Sequence, residues 1–236
     1  MNFHVLTLFP DMIRSVMGES IIGRAVNGGL IHVNAVDIRA YTESKHKKVD
    51  DYPYGGGAGM LMQAQPIYDA YRAIAADIQA KTIAAKPSRF IYLTPQGRPF
   101  KQDLAKELAG ESDLILLCGH YEGVDERVLE EIGGDHISIG DYVLTGGELA
   151  AMVVIDAVAR LLPGVLSNAE SGETESLSGH LLEYPQYTRP EVWRGRVVPE
   201  VLLSGHHAKV AEWRKNAAIE RTAKQRPDLY EQWASP

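Results

Sequence analysis

Residues 114–123 read LILLCGHYEG, an apolar run that ends in a polar turn with a glycine on either side. Two further segments repeat this pattern: residues 90–97 read FIYLTPQG, and residues 137–147 read ISIGDYVLTGG. Short apolar runs bounded by turn residues, with helix-like stretches between them, are typical of buried parallel strands. The sequence therefore predicts an α/β fold with a mostly parallel sheet.

The three turns also predict where a ligand binds. In open α/β sheets, ligands bind outside the carboxyl ends of the strands, where loops bring main-chain amides and carbonyls close to them. Glycine permits this close approach because it has no side chain. Three glycine-containing turns in one region therefore predict one composite pocket.

The segments around these runs complete the alternating pattern. We expect a strand at 3–9, a partly helical stretch that ends at Gly28, and a second strand at 31–38. Apolar spacing and helix propensity predict the main helices of this region at 66–86, 101–109, 125–132 and 147–162.

The composition changes between residues 167 and 179, where Ser, Glu, Gly, Thr and Asn replace almost every apolar residue. Such a segment is typical of a mobile linker or lid. We therefore expect a large domain at 1–164, a flexible linker at 165–183 and a small domain at 184–236. About fifty residues is marginal for independent folding, so the small domain is expected to pack on the large one or on a second subunit.

Charge is unevenly distributed along the 236 residues, whose formal net charge is −7. Residues 103–186 hold three basic and seventeen acidic residues, whereas residues 187–226 hold nine basic and four acidic residues. The net charge argues weakly against nucleic acid as a partner, but a basic segment of this kind is typical of polyanion binding. A solvated helix face would have the same composition, so charge alone leaves both interpretations open.

Several classes of protein are disfavoured by what the sequence lacks. Cys118 is the single cysteine, so an intrachain disulfide is impossible and a cysteine-based metal site is not expected. No signal peptide or membrane-spanning run is present, and we expect a cytoplasmic protein. Neither a P-loop nor a dinucleotide-binding glycine motif occurs, which disfavours a kinase or an NAD enzyme.

Five motifs occur in the order and spacing of one known family. They read DYPYGGGAGM at 51–60, LTPQG at 93–97, CGHYEGVDER at 118–127, SIGDYVLTGGE at 138–148 and YTRP at 187–190. Together they resemble the bacterial tRNA (guanine-N1)-methyltransferases, which act on the guanosine at position 37 of tRNA, on the 3′ side of the anticodon. The resemblance covers essentially the whole chain.

The resemblance implies a specific architecture. It implies a SPOUT-like catalytic domain with a deep trefoil knot at 1–164, a small and mainly helical tRNA-binding domain at 184–236, and a homodimer with its active site at the subunit interface. The knot rests on the resemblance alone, because knots are essentially absent from protein folds in general. The family's reaction is associated with Mg²⁺, held through RNA or substrate, since no spacing of His, Cys and carboxylate residues here predicts a dedicated metal site.

In the family, the methyl donor S-adenosylmethionine binds in the three turns described above. Glycines there expose main-chain groups to the adenine edge, while Leu and Tyr side chains cover its faces. The residues that match by motif are Tyr92, Leu93, Pro95, Gly119, Tyr121, Gly123, Ile139, Gly140, Tyr142, Leu144, Gly146 and Gly147. Ala150 stands where the family usually has proline, and we expect a small effect, because proline there chiefly pre-sets a turn or a first helical residue.

Methylation of guanine at N1 requires removal of the N1 proton, and the negative charge that develops spreads onto O6. The resemblance implies that Arg160 is the catalytic arginine. It places Glu175 where the family has an aspartate base, and the extra methylene of glutamate moves the carboxylate on a scale at which positioning matters. Glu175 is the expected base, Glu170 and Glu173 are alternative bases, and a solvated acidic linker stays open as a further interpretation.

Basic side chains are candidates for phosphate contacts, which position tRNA without reading its sequence. Acidic side chains and loop main chain are candidates for contacts with the edge of an unstacked base. Under the resemblance, the expected substrate-binding residues are Lys45, His46, Asp51, Gly59, Glu122, Arg189, His206 and Arg214.

Two alternative functions stay open at this point. A related knotted methyltransferase would act on a ribose 2′-hydroxyl, and a non-catalytic protein would bind RNA or the donor without turnover. The second alternative would explain the departure at Glu175 as lost chemistry. The glycine turns, Arg160 and an acidic residue at the base position are all retained together, and this combination favours an enzyme.

Overall fold

The computed structural model describes residues 1–81, 88–166 and 180–235. The chain divides into two compact units, Met1–Ser167 and Asn168–Pro236, called unit 1 and unit 2 below. Most of the predicted linker at 165–183 lies outside the described residues, so the predicted domain boundaries stay predictions.

Unit 1 is built on a five-stranded sheet in which every strand pairing is parallel. Its strand order is β2-β1-β6-β5-β7, and β3 and β4 form a separate antiparallel pair. The predicted mostly parallel α/β sheet is therefore confirmed. The strands are β1 (Asn2–Thr7), β2 (His32–Asp37), β3 (Asp50–Asp51), β4 (Leu61–Met62), β5 (Arg89–Pro99), β6 (Asp113–Cys118) and β7 (Asp135–Ser138).

Helices connect these strands close to where the sequence predicts them. Instead of one partly helical stretch, two short helices separated at Gly18 follow β1. The longest predicted helix ends at Lys81, and residues 82–87 lie outside the described part of the chain. The helices of unit 1 are α1 (Pro10–Met17), α2 (Ser20–Asn27), α3 (Ala64–Lys81), α4 (Gln102–Leu108), α5 (Glu126–Ile132) and α6 (Glu148–Ala159).

The sheet has a hydrophobic cluster on each face, because successive strand residues point to opposite sides. On one face, Val5 and Leu116 pack with buried residues of α1, α2, α4 and α6. On the other face, Leu6 and Ile115 pack with buried residues of α3 and α5. Burial on both faces explains why these strands are continuous apolar runs rather than alternating ones.

The predicted turn at Thr94–Gly97 is wrong in one respect, because β5 continues beyond it to Pro99. Leu93 and Arg98 both lie opposite Ile137 of β7, so the four residues between them form a bulge within the strand. Gly97 allows the strand to resume, since a β-carbon there would overlap the main chain of His136 and Ile137. The sequence pattern resembles a turn, but pairing with β7 decides the outcome.

Polar side chains join three strands near their amino ends. Asn2 donates a hydrogen bond to Asp113 Oδ1 at 2.8 Å, and His4 Nε2 lies 3.3 Å from the same oxygen. The other ring nitrogen, His4 Nδ1, lies 3.4 Å from the side-chain nitrogen Nδ2 of Asn34. Although partial burial alone would raise it, hydrogen bonds from Asn2, Ser112 and His4 lower the pKa of Asp113. This network stabilises the order β2-β1-β6 at the edge opposite the glycine turns.

Unit 2 contains a two-stranded hairpin and three helices in its described part. Thr222 anchors the segment before them, because its hydroxyl accepts a hydrogen bond from the Leu182 amide at 2.8 Å and donates to the Ala218 carbonyl at 2.7 Å. The Arg221 guanidinium donates to the Glu183 carbonyl at 3.1 Å. The elements are β8 (Val192–Trp193), β9 (Arg196–Val197), α7 (Glu200–Leu203), α8 (His207–Gln225) and α9 (Pro227–Ala234).

Candidate functional site

A cavity of about 390 Å³ lies at the carboxyl edge of the sheet, among the bulge of β5, the loops after β6 and β7, and the start of α6. We call it the sheet-edge cavity. Its volume falls within the usual range for small-molecule sites. All twelve residues predicted to bind the donor line it, which are Tyr92, Leu93, Pro95, Gly119, Tyr121, Gly123, Ile139, Gly140, Tyr142, Leu144, Gly146 and Gly147.

Main-chain hydrogen bonds hold the loops of this cavity together. The Gly147 amide donates to the Gly119 carbonyl at 2.9 Å, and an isolated antiparallel bridge joins His120 to Gly146. In the loop after β7, the Ser138 hydroxyl donates to the Gly140 carbonyl at 2.9 Å. The loops after β6 and β7 are therefore fixed to each other before any ligand binds.

Two glycines allow the elements around the cavity to pack more closely than a β-carbon would permit. A β-carbon at Gly147 would lie 2.7 Å from the α-carbon of Cys118, and one at Gly119 would lie 3.0 Å from the ring of Tyr92. This close packing keeps β5, the end of β6 and the start of α6 together at the cavity. The cavity volume and its lining of glycines with Leu and Tyr side chains fit an adenosyl group.

The ionisable side chains that line the cavity include one histidine, His120, with two glutamates and three tyrosines. Glu122 and Glu126 supply carboxylates, and no Lys or Arg of the described part of the chain lines the cavity. Tyr92 is 8% exposed, and burial raises the pKa of its phenol, which stays neutral at physiological pH. A wall of this charge suits a cationic ligand such as a sulfonium compound.

A buried carboxylate lies behind the cavity. Glu148, the first residue of α6, is 3% exposed and accepts a hydrogen bond from the Thr7 hydroxyl at 2.7 Å. Its other oxygen lies beside Gly146, because a β-carbon at that glycine would be 2.5 Å away from it. Burial, with a smaller contribution from the charge of Glu148, raises the pKa of the Cys118 thiol well above its usual value. Cys118 is therefore an unreactive core residue.

Two of the predicted substrate-binding residues, Gly59 and Glu122, meet at the rim of the cavity, and a third, Asp51, lies on the neighbouring strand β3. Asp51 pairs with Leu61 across β3 and β4, and Leu61 lines the cavity. Gly59, from the loop between these strands, packs so closely on Glu122 that a β-carbon would overlap the glutamate side chain. Hydrogen bonds from the Tyr52 amide and Lys48 lower the pKa of Asp51, which is ionised at neutral pH. The rim therefore presents carboxylates and a glycine-rich main chain.

Lys45 and His46 are exposed in the loop that precedes β3. Arg160 follows the last residue of α6, and its amide donates to the Asp156 carbonyl at 3.1 Å. Glu175, with the alternatives Glu170 and Glu173, lies outside the described residues.

The remaining predicted substrate-binding residues belong to unit 2. Arg189 and Arg214 line a second cavity within that unit, whereas His206 caps the amino end of α8 by accepting a hydrogen bond from the Lys209 amide at 3.4 Å. The structure thus brings two of these three residues together.

Sequence reasoning missed several residues that line the sheet-edge cavity. Glu126 and Leu129 belong to α5, and Leu61 belongs to β4. Glu126 contributes a carboxylate to the lining, and Leu129 contributes an apolar side chain. The motif at 118–127 contains Glu126, so that residue was within reach of the sequence pattern. Leu61 gave no such signal, because its position depends on main-chain pairing of Met62 with the loop at Gly123.

No group of three or more His, Cys, Asp or Glu side chains is placed to hold a metal ion within residues 1–81, 88–166 and 180–235. In the same described residues, no helix combines the length and the apolar character needed to cross a bilayer.

Comparison with known proteins gives consistent matches over the whole chain. The family model described as tRNA (Guanine-1)-methyltransferase TrmD matches residues 1–232. A tRNA (guanine-N(1)-)-methyltransferase of Lachnospira eligens is 60% identical over 233 residues, which cover 99% of this chain and 96% of the relative. Proteins of the same name from Ruminiclostridium cellulolyticum and Clostridioides difficile are 58% and 55% identical, each over 98% of this chain and over 96% and 97% of the relatives.

Proposed function

The chain belongs to the tRNA (guanine-1)-methyltransferase family, and we propose that it methylates N1 of the guanosine at position 37 of tRNA, with S-adenosylmethionine as donor. It is an enzyme that transfers a methyl group to guanine N1 in tRNA. The observation that carries the donor and the site is the convergence of all twelve motif residues on one cavity at the carboxyl edge of the sheet.

The donor supplies an electrophilic methyl group on a positively charged sulfur. Main-chain groups of the loops after β6 and β7 are proposed to hold its adenine edge, and Leu93 and Leu144 its faces. Glu122 and Glu126 supply negative charge at the same wall, which favours a cationic sulfur.

Guanine N1 becomes a nucleophile only when its proton leaves. We propose that the Glu175 carboxylate accepts this proton, while the Arg160 guanidinium stabilises the negative charge that develops on O6. The N1 lone pair then forms the bond to the methyl carbon as the carbon–sulfur bond breaks. The electron pair of the carbon–sulfur bond stays on sulfur. Asp51, Gly59 and Glu122 are proposed to contact the base, and Lys45 and His46 the phosphates.

A methyl-transfer assay tests this proposal directly. Labelled donor is mixed with an unmodified tRNA transcript that has guanosine at position 37, and with a matched transcript that has adenosine there. Methylation of the guanosine transcript alone is expected, whereas methylation of both would favour the ribose 2′-hydroxyl as target. Donor and tRNA binding without any product would favour the non-catalytic alternative.

The same assay identifies the catalytic groups. Glu175→Gln is expected to lower kcat about 100-fold or more, and Arg160→Ala by about 100- to 1000-fold. Glu170→Gln and Glu173→Gln are the matched controls, since each removes one acidic group from the same segment. If one of the controls loses activity while Glu175→Gln keeps it, the base is assigned to the wrong glutamate.

A homodimer with its active site at the subunit interface is proposed on two grounds, the family and an exposed apolar face. Met12 and Val16 of α1, with Leu149 and Val153 of α6, are each between 40% and 49% exposed. Neighbouring apolar side chains at this exposure are typical of an interface. Sedimentation analysis of Val153→Glu is expected to find monomers, and an unchanged dimer would contradict this choice of face.

The family also supports the finer features of the architecture. These are a trefoil knot within 1–164, a tRNA-binding domain at 184–236 and a cytoplasmic location, where tRNA is modified. Mg²⁺ is proposed to act through RNA or substrate rather than through a dedicated protein site.

A further inference from the structure

Unit 2 contains a cavity of about 570 Å³ to which no step of the methyl transfer has been assigned. We call it the arginine–tyrosine cavity. The segment from Tyr184 to Arg189 forms one side of it, and residues of α7 and α8 form the other. Its lining includes the apolar side chains of Val198, Leu202 and Val210. The cavity thus combines apolar side chains with the basic and aromatic side chains described next.

Two arginines line this cavity without carboxylate partners. Neither Arg189 nor Arg214 makes a hydrogen bond or an ion pair with any residue in the described part of the chain. The Arg214 guanidinium lies over the ring of Tyr184, 4.8 Å from its centroid. In unit 1, by contrast, Arg89 and Arg127 are engaged by neighbouring carboxylates. Arginines that make no direct ion pair with a carboxylate keep their guanidinium donors for phosphate groups.

An exposed aromatic ring lies beside these arginines. Tyr187 is 50% exposed, and its ring centroid lies 6.4 Å from that of Trp213. A tyrosine that is half exposed within a cavity does not contribute its full area to the core, so one part of the ring is available for stacking. Aromatic rings next to arginines are the usual means by which proteins hold unstacked RNA bases.

A carboxylate in the same wall argues for a base as well as a phosphate. Glu191 lines the cavity, and its charge would disfavour a ligand that is only anionic. A carboxylate accepts hydrogen bonds from the exocyclic amino groups of bases. The arginines, the tyrosine and Glu191 together match a nucleotide, which has phosphate, a flat ring and polar edge groups.

We propose that the arginine–tyrosine cavity binds one unpaired nucleotide of the tRNA, other than the guanosine that is methylated. Its base stacks on Tyr187, and its flanking phosphates contact Arg189 and Arg214. This inference rests on the proposed function, because it takes tRNA as the substrate. The protein then has two binding cavities, the sheet-edge cavity in unit 1 and the arginine–tyrosine cavity in unit 2.

Tyr187→Leu tests the stacking contact with the full-length protein and an unmodified tRNA transcript. Tyr187→Leu keeps an apolar side chain but removes the ring, and tRNA affinity is expected to fall about 5- to 50-fold. Tyr187→Phe keeps the ring and should bind almost as the parent does. Trp233→Leu is the matched control, since Trp233 is an exposed aromatic residue of the same unit outside the cavity. Circular dichroism establishes that each variant is folded.

A series of transcripts, each with one abasic nucleotide, then identifies the base that enters the cavity. At that position, loss of the base should weaken binding to the parent protein but not to Tyr187→Leu, because the stacking contact is already gone. The proposal is overturned if no position shows this coupling. It is also overturned if Tyr187→Leu dissociates the dimer and leaves tRNA affinity unchanged, since the cavity would then contact protein.

The experiment distinguishes failure of this inference from failure of the proposed function. Methyl transfer to guanosine 37 is measured with the parent protein before any variant is compared. If the parent methylates this guanosine and the abasic series shows no coupling, the inference fails and the function stands. If the parent binds tRNA but transfers no methyl group, the function fails, and the coupling still reports on the cavity.

Discussion

The sheet-edge cavity and the arginine–tyrosine cavity are built from different chemical groups. In the first, glycines such as Gly119 and Gly147 pack closely against neighbouring elements, and the lining carboxylates are those of Glu122 and Glu126. In the second, the lining is dominated by side chains, with two arginines and two tyrosines. One is suited to a flat ligand with positive charge, and the other to a ligand that carries phosphates.

This difference predicts how each cavity responds to substitution. A main-chain site fails through shape, because the backbone cannot move away from an added atom without displacing a strand. A site made of long side chains loses affinity when a charge or a stacking ring is removed, and the size of that loss depends on salt concentration. Separate measurements of donor affinity and tRNA affinity should therefore show which cavity a substitution affects.

Gly147→Ala is expected to have the largest effect. The new β-carbon would lie 2.7 Å from Cys118 Cα and 3.0 Å from the Gly119 amide nitrogen, and neither main-chain atom can move freely. We expect donor affinity to fall about 10- to 100-fold, with tRNA affinity nearly unchanged. Calorimetric titration with S-adenosylmethionine measures the first quantity, and filter binding measures the second.

The control is Gly110→Ala, because a β-carbon there meets only the Glu107 carbonyl, at 3.3 Å. Equal losses of donor affinity in the two variants would mean that shape at Gly147 is not the cause.

Arg189→Gln and Arg214→Gln should produce the next largest effect, on tRNA alone. Each variant removes a proposed phosphate contact, so the slope of log affinity against log salt should decrease in magnitude by about 0.7 to 0.9. Lys224→Ala removes one positive charge from α8 outside the cavity. A salt slope reduced equally by Lys224→Ala would show that general charge, not the cavity, is responsible.

Glu148→Gln should have a smaller effect and should change the electrostatic field behind the sheet-edge cavity. The carboxylate lies beside Gly146 and is almost fully buried, so its field is poorly screened. We expect affinity for the cationic donor to fall about 3- to 10-fold, and affinity for uncharged S-adenosylhomocysteine to fall less. Glu130→Gln, at an exposed position of α5, is the control. Equal losses for both ligands would indicate a change of shape rather than of charge.

The sequence predicted much of unit 1 because its signals are local. Apolar runs define β6 and β7, and the glycine turns after them mark the cavity, so periodicity and turn chemistry were sufficient. The same reasoning placed a turn at Thr94–Gly97, where the structure has a bulge. That outcome depends on register with β7, a pairing between segments that are far apart in the chain.

Other parts of the two sites depend on tertiary packing and left no local signal. Gly59 and Glu122 are about sixty residues apart, and only the pairing of β4 with the loop after β6 brings them together. Arg189 and Arg214 were predicted separately as phosphate contacts, and their shared cavity follows from packing of the 184–189 segment against α8. The knot, the homodimer and the roles of Arg160 and Glu175 stay predictions that rest on the family.

Asp113→Asn gives the smallest effect and provides a reference outside both cavities, because it should change stability without changing either affinity. The pKa of Asp113 is lowered in the folded state, so its stabilising contribution is present above its unfolded pKa, about 3.9, and is lost as pH falls through the folded value. At pH 7 we expect the variant's free energy of unfolding to fall by about 1 kcal/mol. Urea unfolding should show this difference narrowing below about pH 4. A difference in unfolding free energy that persists to lower pH would mean that Asp113 stabilises β1 and β6 through shape and neutral hydrogen bonds. A change in donor or tRNA affinity would mean that the amino edge of the sheet is coupled to the two cavities.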